Sequence, residues 1–304
     1  MLSYLLAVLA SCANAAASVL QRKSNRDQPR RDNLRLRLIV DLLHDPIWFL
    51  GLLGVIVAFL LQAAALANGA LSVVEPILVF ELPLTLVLAG IVFHRTLHRR
   101  EWAACSAIAL GLAGVLFFLA PSGGRSRDVS WLTWGVGIGV NLAVITVLVF
   151  TARRLAARRA ALLGAATGAA FGLTAALMKA MTNAFPDGIV SIFTTWPTYA
   201  MIAAGVLAMF LLQSALNAGR LIAAQPGITG ADPVVSILWG VVGFGESVRG
   251  GVFLVLAAAS AVVVGWGVFL LSSSPLAGGA PTASTLDPAP LRGCEAEHPT
   301  RPSS

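Results

Sequence analysis

The sequence predicts an all-α integral membrane protein of nine transmembrane helices, built on an inverted structural repeat with helices 1–4 and 6–9 as its halves and helix 5 between them. Three observations carry that reading. Of the 304 residues, 57% are hydrophobic and only 12% charged, where a soluble domain carries roughly 25% charged residues; mean hydropathy is +0.83. Nine runs approach the length of about 20 apolar residues that a helix needs to cross the hydrocarbon core. Finally, segments of the second half repeat segments of the first.

The runs fall at 2–20, 47–67, 70–93, 102–120, 131–150, 160–181, 196–216, 221–244 and 252–271. The first has no Lys or Arg before it and Arg22-Lys23 directly after it. That flank pattern suits a retained helix better than a cleaved signal peptide, despite the small residues Ala13-Asn14-Ala15. Later runs stop at Pro121-Ser122-Gly123-Gly124, Arg153-Arg154 and Pro186-Asp187-Gly188. Trp48, Trp102, Trp131, Trp134 and Trp196 stand near run starts, as interfacial anchors do. Lys and Arg divide fifteen to four between alternate loops, with most in 22–37, 95–100 and 153–159. The positive-inside rule then places those loops in the cytoplasm of a cell-membrane protein, the N-terminus outside and the C-terminus inside. The expected domains are 1–150 (first repeat plus helix 5), 151–271 (second repeat) and 272–304, a Ser-, Pro- and Gly-rich cytoplasmic tail too polar to fold.

The repeat is specific. Phe59-Leu60-Leu61-Gln62 returns as Phe210-Leu211-Leu212-Gln213, Gly69-Ala70-Leu71 as Gly219-Arg220-Leu221, Glu75-Pro76 as Gln225-Pro226, and Pro83 as Pro233. Leu20-Gln21-Arg22 is echoed more weakly by Leu177-Met178-Lys179. Helix 2 thus maps onto helix 7 and helix 3 onto helix 8. Five spans separate the copies, so the second crosses the membrane in the opposite sense, the arrangement secondary transporters use for alternating access.

The same residues resemble the drug/metabolite transporter superfamily, of the EamA-like type. Phe244-Gly245-Glu246 is similar to its Phe-Gly-Glu signature and precedes a last helix with Gly250, Gly251, Gly265 and Gly267; the first half departs, with Phe93-His94-Arg95 at the matching place. Within it, Ala17-Ser18-Val19-Leu20-Gln21-Arg22-Lys23 and Leu71-Ser72-Val73-Val74-Glu75-Pro76 look most like the NIPA-like magnesium transporter branch, although Glu75 replaces a small or apolar residue there. The nine-span count, without a tenth helix, also fits. The resemblance covers about 1–271 and implies a transporter, of Mg²⁺ or another divalent cation in that branch and of small metabolites or drugs elsewhere in the superfamily.

Ionisable groups inside spans are costly and mark pathways. Glu75, Glu81 and Asp232 lie within helices 3 and 8, close to Pro76, Pro83, Pro226 and Pro233, which remove backbone donors and free carbonyls. Gln225 and Asp232 are seven residues apart and share a helix face. Glu75 takes the corresponding face, and Glu81 is expected to point elsewhere. The expected pathway is Glu75, Gln225 and Asp232 with Gln62 and Gln213 nearby, Glu75 and Asp232 being the candidate metal ligands because Mg²⁺ prefers oxygen. The bland alternative puts both carboxylates in interfacial water. Asn217 and Asn14 either line the path or only join helices; Lys179 is expected to snorkel outward, and Glu246 to pair locally with Arg249.

His94 and His98, four apart, have metal-ligand spacing if helical, but Arg95, Arg99 and Arg100 oppose a cation. Gly164, Gly168 and Gly172 allow close packing, against a neighbouring helix or across a homodimer. The Arg22–Arg37 cluster suits anionic lipid and needs no nucleic acid. Cys12, Cys105 and Cys294 have no disulfide or zinc spacing. With no phosphate-binding loop and no nucleophile paired to a base, neither an enzyme nor a cofactor is expected; a membrane scaffold or receptor is the non-transport alternative.

Overall fold

The computed structural model describes residues 1–27, 46–94, 97–123, 129–155, 158–218 and 221–272. The expected tail, most of the Arg22–Arg37 cluster, His44, Arg95, Arg125, Arg127, Gly219, Arg220, Cys294 and His298 lie outside these residues. Among these residues eleven helices carry the fold: α1 (Leu2–Asp27), α2 (Pro46–Asn68), α3 (Leu71–Leu78), α4 (Glu81–Val92), α5 (Arg99–Leu119), α6 (Trp131–Arg154), α7 (Arg159–Thr182), α8 (Ile189–Thr194), α9 (Trp196–Ala218), α10 (Leu221–Leu238) and α11 (Val252–Ser272). Among the described residues, eight spans are long and apolar enough to cross a membrane, α3 and α4 counting together as one. The protein is an all-α membrane protein. The expected eighth run is helical to Leu238 and ends in a π-type turn over Trp239–Gly243.

One expected span is broken. Pro83 has no N–H and its ring crowds the carbonyl one turn back, at Val79. The chain answers with tight turns: the N–H groups of Val79, Phe80 and Leu82 donate to the carbonyls of Pro76, Ile77 and Val79, at 3.2, 3.0 and 3.1 Å. The other prolines do not break their helices. Pro76 lies inside α3, and Pro226 and Pro233 lie inside the continuous α10.

The most enclosed span is α7, packed against α10, α9, α6 and α2. Its small residues explain why. A Cβ on Gly168 would lie 2.9 Å from Ala231 Cβ and 3.0 Å from Asp232 N, and one on Gly172 would lie 2.8 Å from Val235 Cβ. The Gly164, Gly168 and Gly172 stripe is therefore covered by α10 inside this chain. α1 packs against α2, α3 and α4, while α5 packs against α11 through Gly111, Gly114 and Gly267. α6 and α11 leave most of their apolar surface exposed, including Leu132, Val140, Val147, Val255 and Val262, a composition suited to lipid.

The bundle has two chemically distinct ends. Ser3 meets Gly69 across α1 and α2, and a two-residue antiparallel pairing joins Ser122–Gly123, after α5, to Glu246–Ser247, after α10. Trp131 and Trp196, which open α6 and α9, stack at 5.4 Å at this tryptophan end. At the opposite end Arg22 lies over the Phe93 ring at 6.0 Å, and α6 closes with Arg153 and Arg154 just before Arg158 and Arg159.

Overpacking the α7–α10 contact tests this arrangement. Gly168→Leu should cost about 1–3 kcal/mol or more and lower the melting temperature in detergent. Gly139→Ala, where a Cβ meets nothing within 4 Å, should be neutral or stabilising by up to about 1 kcal/mol. Equal melting of Gly168→Leu and the parent chain would contradict the close approach.

Candidate functional site

A cavity of about 460 Å³ lies at mid-depth in the bundle. α1 contributes Ala10 and Asn14, near the middle of its 26 residues; Gln62 comes from α2, Glu75 from α3, Glu81 from α4, Thr174 from α7, and Gln225 and Asp232 from α10. Its apolar wall includes Phe59, Leu82, Phe171 and Met178. The spacing of Gln225 and Asp232 does put both on the cavity face, opposite Glu75 and Gln62.

Each carboxylate is held differently. Glu75 is 4% exposed, accepts a hydrogen bond from Gln62 Nε2 at 3.0 Å, and is close enough to Asp232 for the two charges to interact. Ser236 Oγ lies 3.5 Å from Asp232 Oδ1. Gln225 Nε2 donates to Thr229 Oγ1 at 3.3 Å, leaving its carbonyl oxygen clear of that bond. Glu75 is thus buried beside a cavity.

Glu81 corrects the expectation that it points away. Glu75 and Glu81 would be about 120° apart around an unbroken helix. The tight turns at Val79–Phe80 change that register, and Glu81 enters the cavity wall, accepting a hydrogen bond from Asn14 Nδ2 at 2.6 Å. Asn14 is therefore both a helix-joining amide and a cavity residue. Gln213 and Asn217 do not join the site: both are exposed on α9, on a face that does not line the cavity. Sequence similarity pairs Gln213 with Gln62, but the two helices present these residues to different surroundings.

Lys179 and Glu246 depart further from expectation. Lys179 is 5% exposed, and its Nζ donates to the Gly69 carbonyl at 2.5 Å and lies 3.6 Å from Glu246 Oε1. Glu246, 2% exposed, does not pair with Arg249, whose guanidinium lies over the Phe253 ring at 5.6 Å. Its carboxylate accepts from the N–H groups of Leu71, at 2.6 Å, and Ser72, at 3.0 Å, and from the Ser72 hydroxyl. It caps the N-terminus of α3, where orphan N–H groups and the helix dipole both favour an anion. Removing one partner of a buried ion pair of this kind costs about 3–5 kcal/mol.

Phe244 is 1% exposed, and the Lys179 ammonium lies over its ring at 5.8 Å. Trp134 contacts Trp196, Trp239 and Phe244 at ring separations of 5.1, 4.9 and 5.9 Å. Trp134 is accordingly a buried packing residue instead of an interfacial anchor. The Phe244-Gly245-Glu246 segment is structural in this fold: Phe244 fills the aromatic cluster, Gly245 turns the chain at φ +65°, and Glu246 reaches α3. No sequence spacing could link Glu246 to Ser72, 174 residues away.

Among the described residues, no group of three or more His, Cys, Asp or Glu is placed to hold a metal ion. His94 and His98 share no helix, since α4 ends at Val92 and α5 begins at Arg99; Glu101 instead accepts from the His98 backbone N–H at 2.8 Å.

No protein-family model matches the chain. A protein of Corynebacterium glutamicum, described as uncharacterized, is 29% identical over 254 residues, covering 81% of this chain and 87% of its own length. No solved structure matches. The similarity to the bacterial protein spans most of the bundle and assigns no activity.

The division between cavity and lipid faces yields a paired test. Asn14→Leu should destabilise the protein by about 0.6–2 kcal/mol, the range for an interhelical hydrogen bond in a membrane, whereas Asn217→Leu should leave thermal unfolding unchanged. Thermal melts of the two variants in the same detergent check this, and an unchanged Asn14→Leu melt would count against the Asn14–Glu81 contact.

Proposed function

We propose that the protein is a membrane transporter of the drug/metabolite transporter type, with nine spans in an inverted repeat, working by alternating access on the central cavity. The observation that carries the reading is the mid-depth cavity bearing Glu75, Glu81 and Asp232 with Asn14, Gln62 and Gln225. Carboxylates lining a space in the middle of a membrane protein mark a pathway by default. The packing supports the repeat: α1 packs on α2 and on α3–α4, as α7 packs on α9 and α10, and α5 pairs with α11. On this reading α10 with its π-type turn is the eighth of the nine spans.

The cargo we favour is a cation, Mg²⁺ or another divalent ion. Mg²⁺ keeps several waters and is usually held by one or two carboxylates, so a roomy site with Glu75, Asp232 and the carbonyl oxygens of Gln62 and Gln225 suits a hydrated ion. The apolar wall of Phe59, Phe171, Leu82 and Met178 favours a second reading, an exporter of a small metabolite or drug whose carboxylates exchange protons. Neither reading involves catalysis or a cofactor. Membrane lipids are the expected surroundings, and the positive-inside rule argues for a cell-membrane protein with its arginine end in the cytoplasm and its N-terminus outside.

Purified protein in liposomes containing a Mg²⁺-sensitive dye tests the cargo. External Mg²⁺ should raise the signal well above empty vesicles, and Asp232→Asn should reduce the initial rate at least tenfold. No Mg²⁺ entry, with ethidium extruded along a pH gradient, would replace the first reading with the second; neither flux, in folded and inserted protein, would sink transport of these cargoes. Orientation has its own readout: with Cys12, Cys105 and Cys294 replaced by Ala, Tyr4→Cys, at an exposed position beside Ser3, should react with an impermeant maleimide on intact cells. Reaction only after permeabilisation would invert the topology.

A further inference from the structure

We infer that Glu246, bound to the first turn of α3 and to Lys179, is the latch that separates the central cavity from a vestibule at the tryptophan end. This second space, about 360 Å³, is lined by Ser3, Tyr4, Gly69, Val73, Ser122 and Lys179. The partition between the two spaces is thin. On α7, Lys179 lines the vestibule and its neighbour Met178 lines the cavity; on α3, Val73 lines the vestibule and Glu75 lines the cavity. Both elements are held in place by one carboxylate. Glu246 binds Leu71 and Ser72 at the start of α3 and lies 3.6 Å from the Lys179 ammonium on α7, while Lys179 also holds the Gly69 carbonyl just before α3.

The latch bridges the two halves of the chain, because α3 precedes and Glu246 follows the intervening helices. It is also braced from outside: Ser122–Gly123 pairs with Glu246–Ser247, Ser247 Oγ donates to the Ser122 carbonyl at 2.9 Å, and Arg249 N–H donates to the Leu119 carbonyl at 3.0 Å. Gly240 leaves the room, since a Cβ there would meet the Glu246 carboxylate and lie 3.2 Å from Ser72 Oγ. Release of the carboxylate frees the start of α3 and the end of α7 together and joins the two spaces. The chemistry is directional. Two backbone donors and a hydroxyl at a helix N-terminus select an anion, so a cation at position 246 cannot replace Glu246 even with its charge partner exchanged.

The inference deepens the transport reading but is tested by accessibility, independently of any cargo. Cys12, Cys105 and Cys294 are replaced by Ala, and Thr174→Cys, on the cavity wall, is the reporter. Tyr4→Cys in a separate chain identifies which membrane face is the tryptophan end. A positively charged, impermeant methanethiosulfonate is applied from that face. Glu246→Gln should speed labelling of the reporter at least tenfold, Ser72→Ala about threefold, and the exchange Lys179→Glu with Glu246→Lys should label as fast as Glu246→Gln. Unchanged labelling in folded Glu246→Gln overturns the latch, as does restored slow labelling in the exchange variant, which would reduce the contact to a simple ion pair. If Glu246→Gln does not fold, Ser72→Ala decides by the same criterion. A chain that moves no cargo yet shows Glu246-dependent labelling would refute the transport reading and leave the latch standing. Flux with Glu246-independent labelling would do the reverse.

Discussion

A buried carboxylate must be neutralised or solvated by the protein itself, and the capture of Glu246 by the first turn of α3 organises much of the tryptophan end. A helix beginning inside a bundle leaves N–H groups unmet, and hydrocarbon offers them nothing. One carboxylate answers Leu71, Ser72 and Lys179 at once. To reach them the chain must leave α10 at a set height and angle. The π-type turn, the positive φ of Gly245 and the Phe244 anchor against Trp134 and Trp239 together achieve this.

A second constraint acts in the middle of the bundle. α7 must touch several neighbours while leaving space beside it, and small residues allow both. Gly164, Gly168 and Gly172 bring α10 almost backbone to backbone, which places Gln225 and Asp232 beside the cavity instead of burying them in a packed seam. On the adjoining face, Phe171, Thr174 and Met178 supply wall. Tight packing on one face of α7 thus fixes the polar groups across from another.

The fold class was legible because apolar run length answers directly to bilayer thickness, and the helices follow the runs closely. The pairing of Gln225 with Asp232 was legible because α10 is continuous and its periodicity holds. Glu81 was not, since the Val79–Phe80 break changes the register by an amount that no count of residues gives. Gln213 and Asn217 misled for another reason: a repeated sequence conserves the helix but not its neighbours, and α9 turns those positions outward. Lys179 and Glu246 were hidden by distance along the chain. A Lys at a helix end and a Glu in a turn look like exposed groups until a third element supplies the backbone donors. A buried carboxylate and a buried ammonium far apart along the chain leave no local trace.

The interruption in the third span has a mechanical consequence. A continuous helix resists bending along its whole length because each carbonyl is tied to a donor one turn away; at Val79–Phe80 that ladder is replaced by shorter turns. The span is therefore two short rods meeting at a joint, and the joint borders the space between Glu75 and Glu81. One rod is anchored at its far end to the opposite half of the chain, while the other is tethered to α1 through Asn14. Tilting either rod alters the separation of the two acids without unwinding a turn, so the spacing of the two carboxyl groups is a mechanical variable of this fold.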